Sequence, residues 1–353
     1  MAGLSLIDWF HKLQFTKKTR ADVWQLVGDL TRAGMSETDA LEAIIAIYSA
    51  RKDPSIVYIL KRIRNSIGTN TFNFEVNRYS SASESIMFSS HGTADASRMY
   101  TGAARILKTQ ILMRKTVTAA LFQPLIALAT VFMLYYILGD RMFPQFMLIL
   151  PIEHWSPISR TVARVALFLA SNTLLVLGFI AFLIGLLGWM VRNYSGPGRV
   201  LLDQFPPFSL YRISTGVAFL MTIIERGRMG SSLNTQMLQA MARHSSGYMK
   251  SRILAIARYS DQDSGGIGSA ARQAGQNFPS LDLALIMAKY SETGGDWLVS
   301  FSRFMDGWIE DVQTRIRTMA VALNTIALFF VTFSIALGIL TIFTIVTDLQ
   351  KIQ

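Results

Sequence analysis

The sequence VTAALFQPLIALATVFMLYYIL, residues 117–138, contains no charged side chain. Residues 165–191 and residues 319–347 form two further stretches without Asp, Glu, Lys or Arg. A transmembrane helix needs about 20 mainly apolar residues to cross about 30 Å of hydrocarbon, so each stretch is long enough to span a bilayer. The three stretches predict a membrane protein with three transmembrane helices.

The predicted spans leave two large regions and two short ones. Module 1 is residues 1–116, before the first span, and module 2 is residues 192–318, between the second and third spans. Residues 139–164 form a short loop between the first two spans, and residues 348–353 form a tail. Each module has the size of a small domain, so much of the chain is predicted to lie outside the bilayer.

Basic residues are concentrated in the two modules. Module 1 holds 16 Lys and Arg against 10 Asp and Glu, and module 2 holds 14 against 10. Several basic residues flank the spans directly: Lys108, Arg114, Lys115, Arg192, Arg199, Arg315 and Arg317. Lys and Arg are enriched at the cytoplasmic ends of membrane helices. We therefore predict that both modules and the N-terminus are cytoplasmic, and that the 139–164 loop and the C-terminus lie outside.

The same topology explains the net charge of +11 without a nucleic-acid partner. Composition excludes other chemistry, because the chain has no cysteine and only 4 histidines, which are widely scattered. Disulfides, iron–sulfur clusters, thiolate zinc sites and cysteine nucleophiles are excluded. The sequence also lacks a phosphate-binding GxxxxGK[ST] loop and an HExxH zinc motif. We expect a protein that is not an enzyme and holds no metal or cofactor.

Two glycine-rich patterns have simple interpretations. Asp261-x-Asp263-x-Gly265 begins like a calcium-binding loop, but the twelfth position is Arg272, where such a loop needs a bidentate Glu. Gly266-x-Gly268-x-x-Ala271 formally fits a dinucleotide fingerprint, but no strand is predicted before it. Both patterns are interpreted as a turn between helices.

Helical periodicity dominates module 1. Val23, Leu26, Val27 and Leu30 lie on one face of a helix that is predicted to stop at Gly34. Ser36 followed by Asp39 resembles a capping box, which predicts a new helix directly after it. Residues 68–95 are polar and carry only a weak signal. From Asp95 a helix is predicted to continue without a break into the first span.

Module 2 repeats this order of elements. The segment Val217–Met229 aligns with Val23–Met35, and a turn is predicted at 226–230, with Ser231 and Ser232 as N-caps for the next helix. Phe278-Pro279 is predicted to open a helix over 281–290, and Gly294-Gly295 is predicted to turn into a long helix that enters the third span. The shared order predicts an all-α protein with two repeated helical-bundle modules.

The arrangement and several short motifs resemble one family. Ala33-Gly34-Met35 matches a turn before an N-capped helix, and Phe278-Pro279 with the acidic turn Glu292-Thr293-Gly294-Gly295 matches a second motif. Pro124 lies early in the first span, as is typical of the same proteins. The chain thus resembles the secretion-system F family, the inner-membrane platform proteins of type IV pilus assembly and type II secretion. It departs from the pattern in module 1, where Phe-Pro is missing and His91-Gly92 replaces the acidic turn. It is also shorter than many relatives, as in the divergent members serving type IVb-like or plasmid-encoded pili.

This resemblance implies a function and a set of partners. The protein would be a non-enzymatic platform in the bacterial inner membrane that couples a hexameric cytoplasmic ATPase to the insertion or extraction of prepilin or pilin. Other inner-membrane assembly proteins, the lipid bilayer and further copies of the chain in a homo-oligomer are the other implied partners. The rival class is a subunit of a transporter or channel, for which three uncharged spans offer no polar route. A membrane-embedded enzyme is the third class.

Four features leave two interpretations open. Glu292 is either an exposed interaction residue or part of ordinary chemistry at a helix end. Pro124 is expected to kink its helix, and a mechanical hinge is the alternative. The apolar segment Met142–Ile152 lies at the membrane interface or between spans with Trp155 as an anchor, or it meets a pilin. An N-terminal amphipathic stripe docks the ATPase, or packs on its own module or along the membrane; its residues are Leu6, Trp9, Phe10 and Leu13.

Overall fold

The chain is helical throughout the part that the structure describes. A computed structural model gives residues 6–89, 91–92, 95–230, 233–243, 245–260, 266–292 and 297–350, and these residues contain no strand. The predicted N-caps Ser231 and Ser232 lie outside the described residues, as do Gly294 and Gly295. The all-α fold class is confirmed.

Seventeen α-helices follow one another along these described residues. Module 1 contributes α1 (Leu6–Gln14), α2 (Lys17–Arg32), α3 (Glu37–Ala50), α4 (Pro54–Ser66), α5 (Phe72–Tyr79), α6 (Ala82–Phe88) and the start of α7 (Ala96–Ile137). Then come α8 (Phe143–Ile149), α9 (Pro157–Ser171) and α10 (Thr173–Asn193). Module 2 contributes α11 (Arg199–Leu202), α12 (Phe208–Arg228), α13 (Thr235–Arg243), α14 (Gly247–Ser260), α15 (Gly266–Gln273), α16 (Leu281–Glu292) and the start of α17 (Trp297–Gln350).

Local chemistry sets the helix boundaries in module 1. The side chain of Ser36 accepts a hydrogen bond from the Asp39 amide at 3.1 Å, which satisfies a free N–H in the first turn of α3. Gly34 has φ +100°, a left-handed conformation that glycine adopts without steric cost, so α2 ends there as predicted. Pro54 occupies the first turn of α4, where its missing N–H costs nothing.

The segment 68–95, which carried only a weak signal in the sequence, contains two helices, α5 and α6. Ser81 and Glu84 form a capping box at the start of α6, in which the Ser81 amide donates to Glu84 Oε2 at 2.7 Å. The Glu84 side chain is fully buried, where it also accepts from Arg20 and from the Trp24 indole, each at 2.9 Å. Contacts of this kind, between residues 60 or more positions apart in the chain, leave no periodic pattern in the sequence.

The described chain folds into two compact units. Unit 1 comprises Met1–Lys115 and Val191–Val312, and unit 2 comprises Thr116–Met190 and Gln313–Gln353. Module 1 and module 2 therefore share one unit. The core of unit 1 is built from the buried faces of its short helices, with Trp24, Tyr100 and Phe88 grouped in module 1 and Tyr248, Phe219 and Phe278 in module 2.

Four helical segments of the described residues are long and apolar enough to cross a membrane: Ala96–Ile149, Thr173–Asn193, Phe208–Arg228 and Trp297–Gln350. In the third, α12, 72% of the residues in its apolar stretch of 18 residues are buried inside the protein, against 11%, 0% and 17% in the corresponding stretches of the other three. Helix α12 thus packs into the interior of unit 1. It also continues through Arg226, Gly227 and Arg228, so the turn predicted at 226–230 is shorter, at Met229 and Gly230.

The predicted second span, residues 165–191, is not one helix. The chain breaks between α9 and α10 at Asn172, whose φ and ψ of −117° and 30° leave the helical range. The Asn172 side-chain amide donates to the Phe168 carbonyl at 3.1 Å, which satisfies a group at the end of α9. The segment that suits a membrane is α10, Thr173–Asn193.

The predicted loop 139–164 is mostly helical. Residues Leu138–Met142 form a π-helical turn that leads into α8, and a 3₁₀ turn at Ile152–His154 precedes α9. The Trp155 indole is buried; it contacts Phe143 edge-on and donates to the Leu150 carbonyl at 2.9 Å. Trp155 is therefore a core residue of unit 2 rather than an anchor at the interface. Leu148 and Ile149 on the same segment are exposed.

Candidate functional site

Arg105 joins the two modules inside unit 1. Its guanidinium, on α7, donates to Glu225 of α12 at 2.8 Å and to both carboxylate oxygens of Asp306 on α17 at 2.6 and 2.7 Å. Ser302 of α17 accepts from it at 3.3 Å. We call these four residues the Arg105 junction. Nη1 donates to Glu225 and Nη2 donates to Asp306, so one guanidinium links α7 to both α12 and α17 through charge-assisted hydrogen bonds.

A close helix approach lies beside the junction. A Cβ added to Gly102 would lie 2.6 Å from Cε of the flexible Met87 side chain and 3.3 Å from Glu225 Cβ, so α7 and α12 are close enough here that a larger residue would require its neighbours to shift. Nearby, Arg226 donates to the Ile86 carbonyl and, at 2.8 Å, to Ser89. Module 1 and module 2 are thus held by ionic, hydrogen-bonded and packed contacts along one seam.

A basic groove of about 720 Å³ opens next to the junction. Its charged lining consists of five cations and one carboxylate: Arg32, Arg98, Arg105, Lys108, Arg228 and Glu225. Arg32 and Arg98 are exposed, and their acidic neighbours Asp29 and Asp95 lie 3.9 and 3.6 Å away in weak surface pairs. The groove therefore presents an excess of positive charge and suits an anionic ligand or an acidic protein surface.

In each module, a buried aspartate accepts hydrogen bonds from a tyrosine and an arginine of one helix. In module 1, Asp8 accepts from Tyr58 at 3.4 Å and from Arg62 at 3.0 Å, both on α4. In module 2, Asp203 accepts from Tyr248 at 3.0 Å and from Arg252 at 3.3 Å, both on α14. The tyrosine and arginine have the same Tyr-x-x-x-Arg spacing on both helices. Spacing of four residues places both side chains on one helix face.

A second arginine completes each of these two clusters. Arg78 of α5 donates to Asp8 at 2.8 Å, and Arg199 of α11 donates to Asp203 at 2.9 Å. Arg199 also lies over the rings of Tyr248 and Phe208, at 4.2 and 4.7 Å from their centroids. Burial, together with the negative charge of Asp203, raises the pKa of Tyr248. The phenol therefore stays protonated and keeps donating to the carboxylate.

Helix α1 is oriented with its polar side inward. Asp8 is buried, His11 Nδ1 lies 2.8 Å from Ser55 Oγ, and Lys12 donates to the Arg78 carbonyl at 2.7 Å. Trp9, Phe10 and Leu13 of the predicted stripe are instead 55%, 55% and 58% exposed. The side chain of Leu6 lies outside the described residues. Among the three interpretations of the stripe, packing of these three side chains on module 1 is wrong.

The phenylalanine and prolines of the sequence motifs lie in packed or helical positions. Phe278 is buried and packs against Phe219 and Tyr248, with ring centroids 5.5 and 6.1 Å apart. A Cβ on Gly216 would lie 2.6 Å from Pro279 Cβ, so the Phe278-Pro279 motif seats α16 against α12. Pro124 lies inside α7, which continues as a helix on both sides of it.

Glu292 is the last residue of α16. It is exposed and accepts a hydrogen bond from Lys289 Nζ at 2.7 Å, three residues earlier in the helix. An exposed pair of this kind is a weak structural contact, so the carboxylate remains accessible to a partner. Both interpretations of Glu292 stay open.

The sequence pointed to few of the residues that join the modules. Arg105, Glu225 and Asp306 carry no motif and are far apart in the chain, and Asp8 and Asp203 resemble any helix-end acid. The signal that could have found the buried carboxylates is the repeated Tyr-x-x-x-Arg on α4 and α14. Among the described residues, no three His, Asp or Glu side chains come together as metal ligands would.

No family model matches the sequence, and no curated protein or solved structure is significantly similar to it. The described part of the chain is all-helical, and four of its helical segments are long and apolar enough to cross a membrane.

Proposed function

We propose that this protein is a non-enzymatic platform of the inner membrane. It couples a hexameric cytoplasmic assembly ATPase to the insertion or extraction of pilin or pseudopilin subunits, as part of a type IV pilus or type II secretion machine. The proposal rests on the resemblance to the secretion-system F family and on the way in which long helices connect unit 1 with the apolar stretches.

The observation that carries the proposal is the continuity of α7 and α17. Helix α7 runs from Ala96 to Ile137 and α17 from Trp297 to Gln350, so each begins in a module and continues through nearly all or all of a predicted span. In a continuous helix each residue is hydrogen-bonded to the residue four positions earlier, so a rotation or translation of one end is carried along to the other end. The Arg105 junction ties the module ends of both helices to α12. A motor that turned unit 1 would therefore move both helices together.

The basic groove supports a partner with an acidic surface. Charge reversal at its two exposed arginines, Arg32→Glu with Arg98→Glu, should abolish co-purification of the ATPase with the full-length protein. Arg258→Glu, an exposed position on α14 outside the groove, is the matched control and should leave co-purification intact. Recovery of the ATPase with the double variant would move the docking surface elsewhere on unit 1.

Two features support a duplication of the modules. In the described residues, α2 to α7 and α12 to α17 are two runs of six helices, and each run ends in the helix that enters a span. The clusters around Asp8 and Asp203 use the third helix of each run in the same way. We propose that residues 1–115 and 195–315 share one helical fold that arose by duplication.

The proposed topology has three spans, an internal N-terminus and a periplasmic C-terminus. Helix α12 is not counted because its apolar side chains are buried in unit 1. Alkaline phosphatase fused after Gln353 should be active, and the same fusion after Lys115 should be inactive. Four spans would place both ends of the chain on the same side, so an inactive C-terminal fusion would contradict this topology.

The function is tested in the host cell by deleting the gene and counting surface filaments or measuring export of a secreted substrate. Either the filaments or the export should be lost while prepilin still accumulates in the membrane, and the intact gene should restore the phenotype. The competing class is a transporter or channel subunit. Solute or ion flux through proteoliposomes that contain only this protein, together with normal filaments and export in the deletion strain, would favour that class.

A further inference from the structure

Helix α1 is fastened to module 1 by its polar side. The buried carboxylate of Asp8 accepts from Arg62, Arg78 and Tyr79 at 3.0, 2.8 and 3.0 Å. The His11 ring stacks on Tyr58 with centroids 4.5 Å apart. These contacts fix the rotation of α1 about its own axis. The outward stripe, which we define as Trp9, Phe10 and Leu13, therefore faces away from the module because of the fold and not because the terminus is loose.

The outward stripe has the composition of a membrane-interface surface. Two of its three side chains are aromatic, and they are more than half exposed. The only carboxylate in α1 is the buried Asp8, whereas Lys17 and Lys18, which follow directly, are exposed. Trp and other aromatic residues beside Lys are enriched where a protein meets lipid headgroups.

The helix that follows the stripe begins beside the part of α7 that precedes the first predicted span. Lys17 Nζ donates to Gln110 Oε1 on α7 at 3.1 Å. Gln110 precedes Val117 by seven helical residues, a rise of about 10 Å along the axis. Partial loss of water around the Lys17 amine where it meets α7 lowers the pKa of this otherwise exposed side chain, and the nearby cations Arg20, Arg114 and Arg192 lower it further. Arg114 and Arg192 directly flank two predicted spans.

Helix α2 runs antiparallel to the adjacent part of α7. It begins at Lys17, beside Gln110, and passes Ser97 at Gly28, whose carbonyl accepts from Ser97 Oγ at 2.8 Å. Since Ser97 lies farther from residue 117 along α7 than Gln110 does, α2 begins beside the part of α7 that leads into the predicted span. Leu13 is only four residues from Lys17, within about 14 Å even for a fully extended chain.

We propose that α1 is a membrane-surface helix whose outward stripe inserts into the cytoplasmic leaflet beside the spans. Lys17 and Lys18 would lie at the level of anionic headgroups. Module 1 would then be attached to the bilayer at two places, through α7 and through α1, which restricts how far it can tilt. This inference concerns only the position of α1 and does not depend on the proposed pilus or secretion function.

The chain has no cysteine, so single labels can be introduced without removing any. A nitroxide is attached at Phe10→Cys in the full-length protein, reconstituted in liposomes of phosphatidylethanolamine and phosphatidylglycerol. Collisions with oxygen, which concentrates in lipid, are compared with collisions with a water-soluble nickel chelate. The label at residue 10 should collide mainly with oxygen, and Leu13→Cys should give the same result.

Met35→Cys is the matched control. Met35 is an exposed apolar residue of the same module, at the end of α2 that points away from the span, so its label should collide mainly with the nickel chelate. Equal access of nickel chelate to residues 10 and 35 would overturn the proposal. If residue 10 is open to the chelate and becomes protected only when the purified ATPase is added, the stripe is an ATPase-docking surface instead.

Discussion

Module 1 and module 2 bury a carboxylate in the same way but expose its partners differently. Around Asp203 the side chains of Arg199 and Arg252 are 1% and 4% exposed, whereas around Asp8 those of Arg62 and Arg78 are 30% and 20% exposed. The Asp203 cluster is therefore part of the interior of module 2, whereas the Asp8 cluster lies near the surface and holds α1 against module 1. The same residue types thus support a core in one module and fasten a peripheral helix in the other.

His91 and Glu292, which precede α7 and α17 in the chain, also differ in their surroundings. In module 1, His91 Nε2 lies 3.0 Å from Glu37 Oε2, and its ring stacks on Phe72 at 3.8 Å between centroids. In module 2, Glu292 is exposed and pairs with Lys289 at 2.7 Å. His91 is therefore part of the internal contacts of module 1, whereas module 2 presents an exposed carboxylate at the end of α16.

Removing the two buried carboxylates should give the largest effect and the clearest contrast. Asp203→Ala leaves two arginines buried without their counter-ion, and breaking a buried pair on one side costs about 3–5 kcal/mol. Asp8→Ala should cost about 1–3 kcal/mol, because its arginines reach water. The free energy of unfolding of the full-length protein in detergent measures both. Equal costs would show that the two clusters do not differ in burial as the structure has it.

The Asp8→Ala variant should also detach α1 selectively. Protease cleavage before Lys17 should accelerate while the rest of module 1 stays resistant, because helices with few buried contacts open locally at low cost. No comparable local cleavage is expected in Asp203→Ala, which should open module 2 as a whole. Cleavage spread evenly over module 1 in Asp8→Ala would contradict the claim that Asp8 mainly holds α1 in place.

Gly268→Ala should destabilise module 2 by about 1–3 kcal/mol, because the added Cβ meets backbone that cannot move aside. That Cβ would lie 2.7 Å from Ala288 Cα, so α15 and α16 would have to separate. Gly307→Ala on α17 is the control, because nothing lies within 4 Å of its Cβ. It should stabilise the helix by about 0.5–1 kcal/mol. The unfolding midpoints of the two variants should therefore shift in opposite directions.

Arg105→Ala should cost about 1–2 kcal/mol, since the side chain is only half-buried and exposed pairs contribute little. Its larger effect should be on how firmly the two modules are held together. The distance between spin labels on α7 and α17 within unit 1, measured by electron paramagnetic resonance, should become more broadly distributed. Arg303→Ala, an exposed arginine of α17, is the control and should change neither quantity. An unchanged distance distribution in Arg105→Ala would show that other contacts hold the seam.

Glu292→Gln should change stability least, by no more than about 0.5 kcal/mol, because the pair with Lys289 is exposed. This makes it a clean test of the two interpretations of Glu292. Loss of filaments or export at unchanged stability would identify Glu292 as an interaction residue. Normal filaments and export would leave it as ordinary chemistry at a helix end.

The sequence by itself determined the elements whose causes are local. Uncharged apolar stretches, the Ser36 cap, the Gly34 stop and the unbroken course of α7 all follow from side chains within a few residues of each other. Asn172 also acts locally, by ending α9 inside the predicted second span. This break was not predicted because the apolar character of the whole stretch outweighs one polar side chain.

Only the tertiary structure decided which residues meet across long distances in the chain. The Arg105 junction joins residues from three helices, and the burial of α12 sets it apart from the other three long apolar segments. The same holds for the outward stripe: periodicity identified an apolar face on α1, but the contacts of Asp8 decided that it points outward. Burial and ion pairing depend on neighbours supplied by the whole fold, and local sequence carries no record of them.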